Sequence, residues 1–119
     1  MIKTGCDLVS INRIKRLHDN FSTKFLDKFL SKKEQKIIHS INSIAGFWAA
    51  KEALSKALGV GISKKCSFFD IRICKDKNGS PFFKFSKKLK KYFNIKSSSL
   101  SISHDLNFAM AVVVVDIKN

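Results

Sequence analysis

The sequence predicts an α+β domain with short helices first, one long central helix, strands late and one strand at the very start. Three observations carry that expectation. Apolar residues recur at helical spacing between residues 11 and 58, the period switches to that of strands after Gly61, and residues 2 to 9 alternate as a strand before the first helix begins.

Taken in order, "IKTGCDLV" places Ile2, Thr4, Cys6 and Leu8 on one face of a strand and Lys3, Gly5, Asp7 and Val9 on the other. Ser10 has the character of a helix N-cap. In "SINRIKRL", Ile11, Ile14 and Leu17 share a face while Arg13, Lys15 and Arg16 point elsewhere, which gives a short helix with a basic outer side. More helix follows from about residue 22. "SKKE" at 31 to 34 has capping-box spacing and opens a helix expected to reach about His39. Asn42 or Ser43 is expected to start the long helix and Gly59 to end it. Beyond it, "CSFFDIRICKD" reads as a strand, Asn78-Gly79 as a hairpin turn and "PFFKF" as the return strand. A lysine-rich helix over about 86 to 93 precedes "SLSISH" and "NFAMAVVVVDI", two strands joined by a tight turn around Asp105 and Leu106.

The chain has 119 residues, with 23 Lys plus Arg against 9 Asp plus Glu and a formal net charge of +14, so one domain (1-119) and an anionic partner are expected. There are no repeats and no linker long enough to separate a second domain. Three cysteines, Cys6, Cys66 and Cys74, are odd in number and lack C-x-x-C spacing, which argues against a disulfide framework or a zinc site and for a reducing cytoplasm. The N-terminus carries no apolar signal segment. The longest apolar stretch, Phe108 to Val115, is too short to span a bilayer, so no membrane partner is expected.

On the long helix, Phe47, Ala50, Leu54, Ala57 and Leu58 form the core stripe. Ala45, Ala49, Glu52 and Lys56 fall on the opposite side, so a charged pair stands on a face of methyl groups where something can approach the backbone. Glu52 and Lys56 have two readings: an i,i+4 ion pair contributing about 0.3–0.5 kcal/mol, or members of a site. Asp7 lies mid-strand, an unfavourable place for aspartate, with Gly5 on the same face leaving room for a ligand or ion. It also suits the simpler role of capping the next helix. Two converging carboxylates without His or Cys suit a hard cation such as Mg²⁺, which takes oxygen ligands and substrate phosphates. His104 follows Leu100 and Ile102 at period two, as a satisfied histidine ending a core strand would; His18 and His39 offer less. Gly59-Val-Gly61 follows a helix and is no dinucleotide fingerprint; a C-cap explains it. Lys87, Lys88, Lys90 and Lys91 form a solvated face or contribute to anion binding.

Three stretches, "GCDLVSINRI" (5 to 14), "FWAAKEALSKALGVGI" (47 to 62) and "SISHDLNFAMAVVVV" (101 to 115), together resemble the holo-[acyl-carrier-protein] synthase family of 4'-phosphopantetheinyl transferases. The family pattern G-x-D, W/F-x-x-K-E-A-x-x-K-A and S-x-S-H is met in order, with weaker agreement at "FLSKKE" and "DKNGSP". The fold this resemblance implies is an antiparallel sheet packed on the long central helix, with short N-terminal helices. The activity it implies is transfer of 4'-phosphopantetheine from coenzyme A to a serine of apo acyl carrier protein, releasing adenosine 3',5'-bisphosphate, in fatty acid biosynthesis. Mg²⁺ is the implied cofactor, held by residues that Asp7 and Glu52 resemble. Lys56 resembles the lysine that contacts the phosphates and the reacting serine. His104 matches a histidine read as a coenzyme A contact, and Gly59 with Gly61 would let backbone approach the cofactor. Arg13, with Lys15 and Arg16 beside it, matches the basic first helix that receives the acidic recognition helix of acyl carrier protein. A homotrimer with active sites at subunit boundaries is also implied. One departure stands out: many members read A-G-R-F where this chain reads "AGFW", so Phe47 replaces an arginine used for phosphate.

Two rival classes are compatible with the composition. A small nucleic-acid-binding module suits the charge, but Phe47, Phe68, Phe69, Phe83 and Phe108 lie in patterns typical of core, and no RRM, KH or zinc signature appears, so no specific nucleic acid partner is expected. A ribosomal or scaffold-like structural protein would show no Mg²⁺-dependent turnover.

Overall fold

A computed structural model describes residues 1–119. Strand β1 (Ile2–Ser10) leads into α1 (Ile11–Phe21), α2 (Thr23–Phe29), α3 (Lys32–Lys36) and the long α4 (Ile41–Ala57). A 3₁₀ turn (Phe68–Asp70), β2 (Ile71–Lys75), β3 (Pro81–Phe85), α5 (Lys87–Phe93), β4 (Ile95–Asp105) and β5 (Phe108–Ile117) follow. Caps explain most boundaries. Ser10 Oγ accepts from the Arg13 N–H, and Ser31 and Glu34 form the full capping box of α3. That helix stops at Lys36, short of His39, because the Ile37 N–H closes back onto the Glu34 carbonyl. The long helix starts earlier than Asn42: Ser40 is its N-cap, accepting from the Ser43 N–H. The stretch from Cys66 is strand only from Ile71, since Asp70 folds back to accept from the Ser67 N–H and hydroxyl and closes a 3₁₀ turn.

The strands make two antiparallel sheets, β1-β5-β4 and the hairpin β2-β3. Gly5 stands opposite Val113 and Asp7 opposite Ala111, while Leu100 and Ile102 extend the same rows on β4. The face carrying Gly5, Asp7 and Val9 packs against α4, and the more apolar face, with Ile2, Cys6 and Leu8, is exposed. At Gly5 the two layers touch backbone to backbone. A Cβ there would overlap the Ala53 carbonyl oxygen and lie 2.7 Å from the Ala57 nitrogen. The room beside Asp7 is therefore filled by the helix, which corrects the expectation of a ligand-sized gap.

Helix α4 is enclosed on almost every side. Ala45 and Ala49, expected on an open face of methyl groups, are fully buried within the core cluster. On another side Phe25, Phe29, Trp48 and Phe68 form an aromatic cluster with ring centroids 5.1–6.0 Å apart. Phe47 and Phe83 are core as expected, whereas Phe69 and Phe108 are exposed.

Lys51 is fully buried, a role its charge conceals in the sequence. Its ammonium donates to the Phe29 carbonyl at 2.7 Å, the Phe68 carbonyl at 3.0 Å and Glu34 Oε1 at 2.9 Å. Glu34 Oε2 in turn accepts from the Ile73 N–H. Burial pushes the Lys51 pKa down, and the Glu34 carboxylate opposes that shift. Five elements meet at this pair. Lys51→Met leaves the Glu34 carboxylate buried without its counter-charge, so urea unfolding is expected to show a loss of about 3–5 kcal/mol; a loss under about 1 kcal/mol would show that the pair does not hold these elements together.

Candidate active site

Strand β1 and the C-terminal half of α4 bring Asp7, Glu52 and Lys56 together. Lys56 Nζ donates to Asp7 Oδ1 at 2.8 Å, joining residues 49 apart in sequence. The partner of Lys56 is thus Asp7, so the simple i,i+4 pairing with Glu52 is not the one formed. This bond raises the Lys56 pKa and keeps the ammonium charged at neutral pH. Glu52, one turn earlier on α4, is half-buried. Burial pushes its carboxyl pKa up and the Asp7 carboxylate adds to that, while Lys56 and Arg13 pull it back. Two carboxylates and two cations therefore share one local field. Asp7 and Lys56 touch directly; Glu52 and Arg13 act on them through charge.

The donor set suits a divalent cation of the hard kind. The carboxylates of Asp7 and Glu52 supply oxygen ligands only, and no group of three or more His, Cys, Asp or Glu side chains gathers in the chain. Two protein carboxylates fit Mg²⁺, which keeps several waters and completes its shell with phosphate oxygens. Burial is the main cause of the raised Glu52 pKa; the repulsion from Asp7 that adds to it is an electrostatic cost that a cation between the carboxylates would offset.

Other residues singled out in the sequence lie elsewhere. His104 is exposed and ends no sealed core strand. It lines a cavity of about 280 Å³ with Asn42, Ser43, Gly46, Lys75 and Pro81, between the start of α4, the β2-β3 hairpin and β4. Asp7 on β1 and His104 on β4 occupy opposite edges of the three-stranded sheet, with β5 between them and α4 packed over it. At about 4.8 Å per strand spacing, their backbones are about 10 Å or more apart. Phe47 contributes to the cavity wall and is itself buried, so its side chain does not reach out as an arginine's would. Lys75 supplies a cation to this cavity that sequence reasoning missed; its only signal is its place just before the Asn78-Gly79 turn.

Gly59 and Gly61 have φ of 79° and 64° with nothing within 4 Å of an added Cβ. They lie just past the end of α4, and the Val60 and Gly61 N–H groups both reach back to the Ser55 carbonyl. Arg13, Lys15 and Arg16 are exposed on α1. Lys15 is tied to Asp19 at 3.0 Å, whereas neither arginine joins any ion pair of the chain.

Comparison with known proteins shows the family of the chain. The family model described as the 4'-phosphopantetheinyl transferase superfamily matches residues 3–113. A holo-[acyl-carrier-protein] synthase of Campylobacter lari is 59% identical over 112 residues, covering 94% of this chain and 97% of the relative. A protein of the same name from Aliarcobacter butzleri is 51% identical over 110 residues, covering 92% and 93%. Among solved structures, Helicobacter pylori holo-[acyl-carrier-protein] synthase in complex with coenzyme A superposes with a TM-score of 0.92 at 52% identity, covering 98% of this chain and all of that one. The Neisseria meningitidis synthase gives 0.88 at 35% identity, covering 98% and 99%. With the family model matching residues 3–113 and relatives more than half identical along nearly the whole chain, the chain belongs to the 4'-phosphopantetheinyl transferase superfamily.

Proposed function

We propose that this protein is a holo-[acyl-carrier-protein] synthase, moving 4'-phosphopantetheine from coenzyme A to a serine of apo acyl carrier protein in fatty acid biosynthesis. The observation that carries the reading is the Asp7–Lys56 contact, which sets a charged ammonium beside two carboxylates at one end of α4. In the reaction, the serine Oγ bonds to the phosphorus that carries pantetheine. The bond from that phosphorus to the bridging oxygen breaks, and adenosine 3',5'-bisphosphate leaves. Asp7 and Glu52 would hold Mg²⁺, which when bound neutralises charge on the diphosphate. Lys56, kept cationic by Asp7, stabilises the charge that develops on the leaving phosphate and orients the serine. Glu52, or a water held beside it, would take the serine proton. Gly59 and Gly61 offer open backbone beside the lysine, and His104 and Lys75 offer cationic or donor groups for the distal phosphate of coenzyme A.

The separation of the His104 cavity from Asp7 supports a homotrimer in which neighbouring copies contribute the two halves of each site. The exposed sheet face of Cys6, Leu8, Phe108, Met110 and Val112 is the apolar surface suited to join them. Unpaired cysteines support a cytoplasmic setting, and no helix is long and apolar enough to cross a membrane. Incubating the protein with coenzyme A, Mg²⁺ and apo acyl carrier protein and weighing the carrier tests the reading. The carrier should gain one phosphopantetheine group, only with Mg²⁺ present; an unchanged mass would overturn the reading.

Arg13 and Arg16 are free to meet an acidic carrier helix. Arg13→Glu is expected to lower kcat/KM for acyl carrier protein at least tenfold, about the effect of a repelled rim charge on encounter, with KM for coenzyme A nearly unchanged. The wild-type value should itself fall with added salt. Steady-state kinetics with each substrate varied in turn measures both; equal losses for the two substrates would remove the docking role.

A further inference from the structure

The tip of the β4-β5 hairpin holds a residue in an unfavourable state. Leu106 has φ of 52° and leaves 91% of its surface exposed. A bulky side chain crowds the backbone at positive φ, and apolar surface left in water gains nothing on folding. Asparagine or glycine would suit this turn better.

The tip is nonetheless held firmly. The Asn107 carbonyl accepts from the Ile11 N–H at 2.7 Å, its Oδ1 accepts from the Asn12 N–H at 2.9 Å, and its Nδ2 donates to Ser10 Oγ at 3.1 Å. These bonds clamp the residue after Leu106 to the first turn of α1. Arg13 follows directly, close enough to the site for its charge to be felt at Glu52.

We propose that Leu106 is an apolar anchor for the acidic carrier protein, engaging it together with Arg13 and Arg16 on one docking surface; the inference rests on the transfer reaction proposed above. The choice of occupant follows from charge. Arg13 and Arg16, on the helix whose first turn is bonded to the tip, join no ion pair and outnumber Asp105, the one carboxylate at the tip; they suit an acidic surface with an apolar depression and oppose the same cations on the α1 of a second copy. An apolar anchor next to charged contacts is also the usual composition of a specific interface, in which a few buried side chains carry most of the energy.

Leu106→Asn and Leu106→Met separate the roles. With Asn, kcat/KM for acyl carrier protein should fall about tenfold, the scale of burying one leucine at an interface. KM for coenzyme A should hold, Tm should stay level or rise by up to about 5 °C as strain is relieved, and the sedimentation mass should match wild type. With Met, most activity should return. The Asn loss should also persist at raised salt, unlike that of Arg13→Glu. A carrier kcat/KM within twofold of wild type, a lowered Tm or a smaller assembly would each overturn the proposal; the last would make a second copy the occupant. If wild type itself fails to modify the carrier, the reaction assignment falls first; if wild type transfers and the Asn variant matches it, only the role of Leu106 falls.

Discussion

Glu52→Ala and Asp7→Ala should each lower phosphopantetheine transfer by about a thousandfold while leaving the protein folded. The two losses would have one origin, since each variant removes one of the two carboxylates proposed to hold Mg²⁺. Stability should respond differently. The Glu52 carboxyl is already burdened by burial and by the charge on Asp7, so its removal takes away an unfavourable contact in the metal-free protein. Its Tm should hold or rise, the usual relation between a functional charge and the fold that carries it. Asp7→Ala strands the Lys56 ammonium, but that side chain is largely exposed and water replaces the lost partner. Added Mg²⁺ should raise the Tm of wild type and of neither variant. A variant that keeps Mg²⁺-dependent stabilisation and near wild-type turnover would show that its residue does not hold the metal.

The positions proposed for the site stand out in the sequence, while their partners do not. Asp7 is conspicuous because aspartate is a poor mid-strand residue, and Glu52 and Lys56 because they interrupt a run of alanines. That Lys56 reaches Asp7 instead of Glu52 depends on how β1 lies along α4, which no local spacing encodes. The same limit hid Lys51. On a helical wheel it falls on the core stripe beside Phe47 and Leu54, but its charge argues for the surface; only the packing of α2, α3 and β2 around α4 shows why it is a buried hub. Strand alternation was also correct at β1, yet periodicity does not say which face is inside. The apolar set Ile2, Cys6 and Leu8 is outward because the residues needed against the helix are small, not because they are oily. The long helix, expected from Asn42 or Ser43, starts one residue or two earlier, because Ser40 is the side chain that caps it by accepting from the Ser43 N–H.

Gly5→Ala should be the most damaging single methyl group in the protein, through close approach and not through backbone conformation. An added Cβ meets the Ala53 carbonyl oxygen and the Ala57 nitrogen, both backbone atoms of α4, so no side chain can rotate away to make room. Strand and helix must separate, at a cost of about 1–3 kcal/mol or more in a core this closely packed. The separation falls two residues from Asp7 and between the turns of α4 that carry Glu52 and Lys56, so the 2.8 Å contact of Asp7 with Lys56 is strained by the same movement. A displacement of about 1 Å at a reacting centre costs about a hundredfold in rate, so transfer should drop well beyond what the loss of folded protein explains. Gly59→Ala is a control for stability alone, since its backbone is proposed to face the cofactor: its φ is positive, but nothing lies within 4 Å of the new methyl. Urea unfolding should show Gly5→Ala losing more stability than Gly59→Ala, and turnover of Gly5→Ala should fall beyond its loss of folded protein. Adding Ala53→Gly to Gly5→Ala should bring little recovery, because the obstruction is main chain. If that second change restores activity, the methyl of Ala53 is what the new Cβ meets, and the backbone contact does not position this site.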